Sequence, residues 1–229
     1  MKYFFINLED AVERKEKCEN EFHNNNVEGV RVRAVECKPS DFPSSIKNAK
    51  ENACFRSHIK AMRQFVNTTD DEYAMICEDD ITFDFKKYWR CEPDELLKIA
   101  PNDTGIIQLC VIYTRIDLNP EWGEQEDFFR WGEIPSVGSC LAYIITRRCA
   151  VQLLDYYDSL ENLKRIGSTD SKVGIYSNAT RFTDTVAYTY KYPMFVYPME
   201  NDTQIGNCKN NQQASRRHVE HYLKINFQK

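Results

Sequence analysis

The chain has 229 residues, with 42% hydrophobic and 28% charged residues and a formal net charge of −5. That length suits one large domain or two small ones, and the composition is that of a globular protein able to bury a substantial core. The negative balance argues against a dominant nucleic-acid or anionic-membrane surface, and no apolar run approaches the length of a membrane span.

In chain order, residues 2–8 read as an opening strand that ends at Asn7-Leu8. Asp10 is placed to cap a helix, with Glu13 completing a capping box, and the helix runs to about Phe22 before Asn24-Asn25-Asn26. Val30 to Val35 alternates as a second strand, which makes a βαβ unit of the opening segment. A Pro/Ser-rich link follows from Lys38 to Ser45, and residues 51–66 carry Phe55, Ile59, Met62 and Val66 at helical spacing.

The next stretch organises the rest. Tyr73 to Cys77 is an apolar run of buried-strand length, and it breaks into Glu78, Asp79 and Asp80. Adjacent carboxylates at the end of a buried strand repel one another and resist desolvation unless a positive group sits among them. A hard divalent cation, Mg²⁺ or Mn²⁺, suits such oxygen ligands. Strand alternation puts Glu78 and Asp80 on one side and Asp79 on the other. The plainer reading is a solvated acidic turn.

Glu92 to Ala100 reads as a short helix stopped by Pro101, and Gly105 to Ile112 as another buried strand. Trp122, Phe128, Phe129 and Trp131 stand among glutamates, glycines and prolines; they offer a stacking platform for a ligand, or pack in the core. Val137 to Ile145 reads as a strand and is followed by a helix that buries Ala150, Leu153, Leu154 and Tyr157. The polar segment Ser159 to Arg181 shows little periodicity and reads as a lid or a passive insertion. Met194 to Tyr197 is a last apolar strand between two prolines, and Arg216 to Lys224 a C-terminal helix.

Alternating strands and helices indicate an α/β fold, in which ligands sit outside the carboxyl ends of the strands. Asn7 and the acidic run both lie there. The nine cysteines form no Cys-x-x-Cys pair, which fits neither a zinc ribbon nor a disulfide framework; they read as small buried residues in a reducing compartment. The start meets charge too soon for a signal peptide, so the four Asn-x-Ser/Thr sequons, at Asn67, Asn102, Asn178 and Asn201, read as coincidental. The expected location is cytoplasmic, in a host cytoplasm if the chain is viral.

Several of these pieces together resemble the family 25 glycosyltransferases, which include lipopolysaccharide galactosyl- and glucosyltransferases and collagen galactosyltransferases. Phe5-Ile-Asn-Leu-Glu-Asp-Ala-Val-Glu-Arg14 is similar to their "INL…R" start, and Arg33-Ala-Val-Glu36 to their "RAVDG", with Cys37 in place of the glycine. Cys54, Ser57 and His58 match their "G-x-x-G-C-x-x-SH" helix, without its two glycines. Ile76-Cys-Glu-Asp-Asp80 matches their "LEDD", and Ser139 to Ala150 resembles their "AYxIT/SRxGA". Phe182-Thr-Asp184 stands where they carry "P-x-D". The matches keep the family's order over almost the whole chain.

The resemblance implies a GT-A fold: a single α/β/α sandwich with a mixed central sheet, spanning residues 1–229. Its donor-binding part covers about 1–115 and its acceptor-binding part about 116–229. It implies a nucleotide-sugar donor, most often a UDP-sugar, with Mn²⁺ or Mg²⁺, and transfer with inversion to a glycan or glycoprotein acceptor. Asp80 is the first choice as metal ligand, and Glu78 binds through water or contacts the donor. Asp79 is structural, or a second ligand if the strand ends before it. Asn7, Leu8 and Arg14 are placed to meet the nucleotide; turn and solvated-helix roles are the plainer readings of Asn7 and Arg14. His58, with Ser57, buttresses the acidic strand or touches the diphosphate. Asp184 is the leading general base, with Glu133, Glu200 and Asp202 in reserve, and a cap or turn role as its alternative. His218 and His221 offer a third metal ligand, or sit on a solvated basic helix. Two other functions compete: a metal-dependent phosphohydrolase or nucleotidyltransferase using the same acidic strand end, and a non-catalytic sugar-binding domain.

Overall fold

The structure, a computed structural model, describes residues 1–36, 46–111, 127–131, 139–159, 174–192 and 194–197, with residues 213, 216 and 220. The Lys38–Ser45 link, Trp122, Glu133, Glu200, Asp202, His218 and His221 lie outside them.

Alternating apolar runs make the strands. β1 (Tyr3–Asn7) is buried along its whole length, and β2 (Gly29–Arg33) follows α1 (Val12–Asn24) as the βαβ pattern predicts. β1 pairs in parallel with both β2 and β3 (Tyr73–Glu78). β6 (Ala142–Thr146) is inserted antiparallel between β3 and β4 (Thr104–Gln108). β7 (Val186–Tyr190) runs parallel to β4, and β5 (Phe128–Arg130) closes the edge antiparallel to β7. Among the described residues these strands form one mixed sheet in the order β2-β1-β3-β6-β4-β7-β5.

The pleat sends alternate side chains to opposite faces. Tyr3, Phe5, Met75 and Cys77 meet Cys18 and Phe22 of α1 and Leu96 of α3 (Leu96–Ile99). Phe4, Ile6 and Ile76 meet Phe55, Ile59 and Met62 of α2 (Ile46–Thr68), which packs beside α4 (Arg147–Ser159), and α4 in turn beside α5 (Gly174–Phe182). The result is a helix–sheet–helix sandwich. At the start of β4 the chain has no side chain because a Cβ on Gly105 would lie 2.0 Å from the Thr185 hydroxyl oxygen.

Several sequence expectations need correction. The helix start at α1 carries no capping box: the N-cap residue is Ala11 and makes no side-chain cap bond. Asn7 Nδ2 instead donates to the Ala11 carbonyl at 3.1 Å, which ties the helix to the end of β1. Residues 174–181 of the supposed lid fall in α5, which buries Ile175, Tyr176 and Ala179. Its buried Ser177 and Asn178 hid the apolar period, and Asn178 donates to the Tyr157 hydroxyl at 2.9 Å. β5 and β7 carried no expectation at all. Met194–Tyr197 is not a sheet strand; it makes an isolated bridge between Val196 and Thr82. Phe128 packs on Tyr190 and Trp131 on Tyr176, while Phe129 is buried, so these rings serve β7 and α5 as core packing. Among the described residues no helix is long and apolar enough to cross a membrane.

Candidate active site

The five parallel strands β1, β2, β3, β4 and β7 all end on one edge of the sheet. The chain leaves β3 there as Asp79 and Asp80, and Met194–Tyr197 runs back across the same edge, its Met194 N–H donating to the Leu109 carbonyl at 2.9 Å. Glu78 is the last residue of β3, held by its N–H to the Leu141 carbonyl at 2.9 Å.

Alternation holds for Glu78 and Asp79. Glu78 turns toward α2, where its Oε1 is 3.5 Å from His58 Nε2 and 3.7 Å from Cys54 Sγ. Asp79 turns toward α1: its Oδ2 accepts from Asn7 Nδ2 at 2.7 Å, and its Oδ1 accepts a hydrogen bond from the Arg14 guanidinium. The strand ends before Asp80, so alternation no longer governs it, and Asp80 Oδ2 lies 3.3 Å from the same Arg14 nitrogen. The positive group among the two aspartates is therefore Arg14, from the first turn of α1. The solvated reading of Arg14 is overturned, as is the exposed acidic turn: Asp79 is 8% and Asp80 5% exposed.

These contacts set the protonation states. Burial opposes the charge on Arg14, but Asp80 and Asp79 raise its pKa nonetheless. Burial acts to raise the Glu78 pKa, and His58, Arg14 and Cys54 together outweigh it and hold the carboxyl below its ordinary range. Burial raises Asp79 despite Arg14 and Asn7. Burial and then the Glu78 charge push Asp80 up to about 7, against the pull of Arg14.

Each oxygen of Asp79 is thus engaged by a neighbour, which is the structural role. Asp80 differs: its Oδ1 is buried and makes no hydrogen bond to any described residue. An orphaned carboxylate oxygen beside a cluster of negative charge fits a hard divalent cation. Asn7 is buried, and its Oδ1 accepts from Arg31 Nε at 3.0 Å, while Arg31 also donates to the Leu8 carbonyl at 3.2 Å. Asn7, Leu8, Arg14, Glu78, Asp79 and Asp80 are brought together. His58 stands behind them, buttressing Glu78, with its Nδ1 3.2 Å from the Tyr143 hydroxyl. Ser57 Oγ donates to the Ala53 carbonyl and accepts from Val35 N–H, locking α2 to the end of β2.

Asp184 does not join this group. It precedes β7, whose start pairs with the start of β4, so it lies on the opposite edge of the sheet, on the order of 17 Å away for strands of this length. It is half exposed and paired with Arg148. The Arg148 hydrogen bond holds its carboxyl below the ordinary range. A base must reach the acceptor hydroxyl at hydrogen-bond distance, which this position does not allow. Asp184→Asn is expected to leave sugar transfer within about twofold of wild type, as surface substitutions away from the site do; steady-state kinetics with any accepted donor checks it.

Two site residues had no role assigned from sequence. Ser139 and Tyr197 meet through their hydroxyls at 3.0 Å, and Ser139 also accepts from Tyr176 and Gln108 through its carbonyl. The Ser139 backbone has φ 154°, a conformation that glycine favours. Burial and then the Glu78 charge raise the Tyr197 pKa. Only the return of a distant segment across the sheet edge brings Tyr197 to Ser139.

Comparisons with known proteins follow the same lines. No curated protein matches the chain in sequence. In structure the chain is similar to a glycosyltransferase involved in the glycosylation of the major capsid of PBCV-1, at 8% identity and a TM-score of 0.52, covering 96% of this chain and 98% of that one. A galactosyltransferase, LgtC, in complex with donor and acceptor sugar analogs matches at 8% identity and a TM-score of 0.41, over 82% of this chain and 73% of that one. At 8% identity the first of these likenesses concerns the fold alone, an α/β fold of the GT-A type. The sequence pattern of Glycosyltransferase family 25 (LPS biosynthesis protein) matches residues 1–170, running from β1 past the end of α4 and through the acidic strand. A match over that much of the chain makes this protein a member of glycosyltransferase family 25.

Proposed function

We propose that the protein transfers a sugar from a nucleotide-sugar, a UDP-sugar first among them, to a glycan or glycoprotein acceptor, with a divalent metal and inversion at the anomeric carbon. The observation that carries this reading is the buried Asp80 oxygen that has no hydrogen-bond partner among the described residues, at the carboxyl end of β3 among carboxylates that Arg14 neutralises only in part. Family membership favours it over a phosphohydrolase or nucleotidyltransferase, and over a binding domain without chemistry.

Asp80 is the residue to hold Mn²⁺ or Mg²⁺, and Glu78 contributes through its negative charge or a bound water. A bound cation of this kind supplies a Lewis acid for the diphosphate leaving group. Asp79 holds Arg14 in place. Asn7, Leu8 and Arg31 shape the end of β1 where the nucleotide is placed, and His58 keeps Glu78 oriented. In this reading about 1–115 binds the donor and about 116–229 the acceptor. Inversion needs a base that takes the acceptor hydroxyl proton. With Asp184 on the far edge of the sheet, that role falls to the reserve carboxylates Glu133, Glu200 and Asp202.

The test is a thermal-shift screen against UDP-, GDP- and dTDP-sugars, with and without Mn²⁺, for wild type and Asp80→Asn. A ligand at a hundred times its Kd stabilises the native state by about 2.7 kcal/mol. The expected result is a shift with one nucleotide that needs both Mn²⁺ and Asp80. A metal-dependent shift or turnover with simple phosphoesters, and none with nucleotide-sugars, would overturn the reading.

A further inference from the structure

Glu78 also has neighbours on the side away from Arg14. Cys54 and His58 are four residues apart on α2 and so share one face of the helix. Their donor atoms and a Glu78 oxygen all lie within 4.8 Å of one another. Cys54 Sγ is 3.7 Å and His58 Nε2 3.5 Å from Glu78 Oε1. Around tetrahedral zinc, with its usual bonds to sulfur, nitrogen and oxygen, ligand atoms stand roughly 3.3–3.8 Å apart. Both measured separations fall within that span before any ion is added.

His58 supplies a second and independent observation. It is 1% exposed, and its Nε2 is buried without a hydrogen bond to any described residue. Its other nitrogen, Nδ1, is 3.2 Å from the Tyr143 hydroxyl. A partner on the far nitrogen is what orients a metal-binding imidazole and fixes its tautomer. On its other side the ring presents Nε2 to Glu78 Oε1 at 3.5 Å, with the Cys54 sulfur close by, so one cation could be shared among the three.

The supporting framework is rigid. Glu78 is pinned by its backbone bond to Leu141, and α2 is locked to β2 through Ser57. Cys54 is half-buried, and Tyr143 is fully buried. A thiolate, an imidazole and a carboxylate form a mixed donor set that suits a borderline-soft ion better than Mg²⁺ or Mn²⁺.

We propose that Cys54, His58 and Glu78 form a binding site for a thiophilic divalent cation, zinc fitting best, distinct from the hard-cation position at Asp80. The Cys54 thiol gives up its proton as the sulfur–metal bond forms, so one proton is released per ion bound. A water completes the fourth position. The ion cross-links α2 to the end of β3 and sets the orientation of Glu78 beside the donor site. The inference needs neither a nucleotide-sugar nor transfer, so it stands or falls separately from the proposed function.

The experiment is a titration of chelator-treated full-length protein with Co²⁺, read by absorption. The expected result is thiolate-to-cobalt charge transfer and tetrahedral visible bands saturating at one equivalent, bleached by zinc. Asp80→Asn keeps these bands and Cys54→Ser loses them. Tyr143→Phe, which retains all three ligands, weakens cobalt binding about ten- to a hundredfold. His58→Gln keeps the thiolate band but weakens binding at least as much, and it decides the matter if Cys54→Ser fails to fold. Absence of a thiolate band in wild type, a band that survives Cys54→Ser, or unchanged affinity in His58→Gln overturns the proposal. Each would leave a hydrogen-bonded thiol–imidazole–carboxylate cluster only.

Discussion

Replacing Asp80 by asparagine is expected to lower sugar transfer by roughly a thousandfold or more, because a Lewis-acid cation supplies several kcal/mol of leaving-group stabilisation and each 1.36 kcal/mol is about tenfold in rate. The same substitution is expected to stabilise the metal-free protein above neutral pH. Asp80 is 5% exposed, one of its oxygens has no hydrogen-bond partner among the described residues, and burial with the Glu78 charge raises its pKa from 3.8 to about 7. A carboxyl that binds its proton more tightly when folded favours the folded state at acid pH. Its contribution is lost as pH rises from about 4 to about 7, by at most about 4 kcal/mol. Thermal melts of the metal-free protein from pH 5 to pH 8 check this: wild type should lose stability over that range and the asparagine variant far less. Bound Mn²⁺ favours the ionised carboxylate, so its stabilising effect on wild type should grow toward pH 8. Retained transfer in the variant would move the metal to another carboxylate.

Arg14→Met is expected to destabilise the protein by about 3–5 kcal/mol near pH 8, the range found when one partner of a buried ion pair is removed. For a chain of this size that is a fall of roughly 10 °C in melting temperature. Methionine keeps much of the side-chain volume and removes the guanidinium, leaving Asp79 and Asp80 buried without their shared cation. Both carboxyls already have raised pKa values, so in the variant they escape the penalty by protonating. The loss should therefore shrink as pH falls toward 5. Urea unfolding of both proteins at pH 8 and pH 5.5 measures it. A cost below about 1 kcal/mol, or one that does not change with pH, would show that solvent rather than Arg14 stabilises the pair.

How much of the site was legible follows from what each residue depends on. The acidic run could be read because a buried strand that stops at a carboxylate is a local pattern. That Asn7 shares its edge followed from the α/β pattern, in which parallel strands end on one side, and β1 does pair in parallel with β3. Arg14 was placed near the nucleotide, but its pairing with Asp79 spans 65 positions, and no local pattern carries a contact of that range. Asp184 shows the reverse error. Its motif position suggested a base, but whether a residue before a strand lies on the active edge depends on the direction of that strand. β7 runs parallel to β4, so its leading residues fall on the far side.

The sequence by itself determined the α/β class, the opening βαβ unit, the acidic end of β3 and the family, because hydrophobic period, strand length and an ordered set of short motifs are properties of neighbouring residues. Tertiary structure alone decided the placement of β6 between β3 and β4, the existence of β5, β7 and the buried helix α5, and the return of Tyr197 to Ser139. It also decided that one arginine is shared by two aspartates while Glu78 turns to Cys54 and His58. The physical reason is the same throughout. Polar groups such as Asn178, Asp79 and Asp80 are stable in the interior only when distant residues supply their partners, and those partners come together only once the sheet has formed.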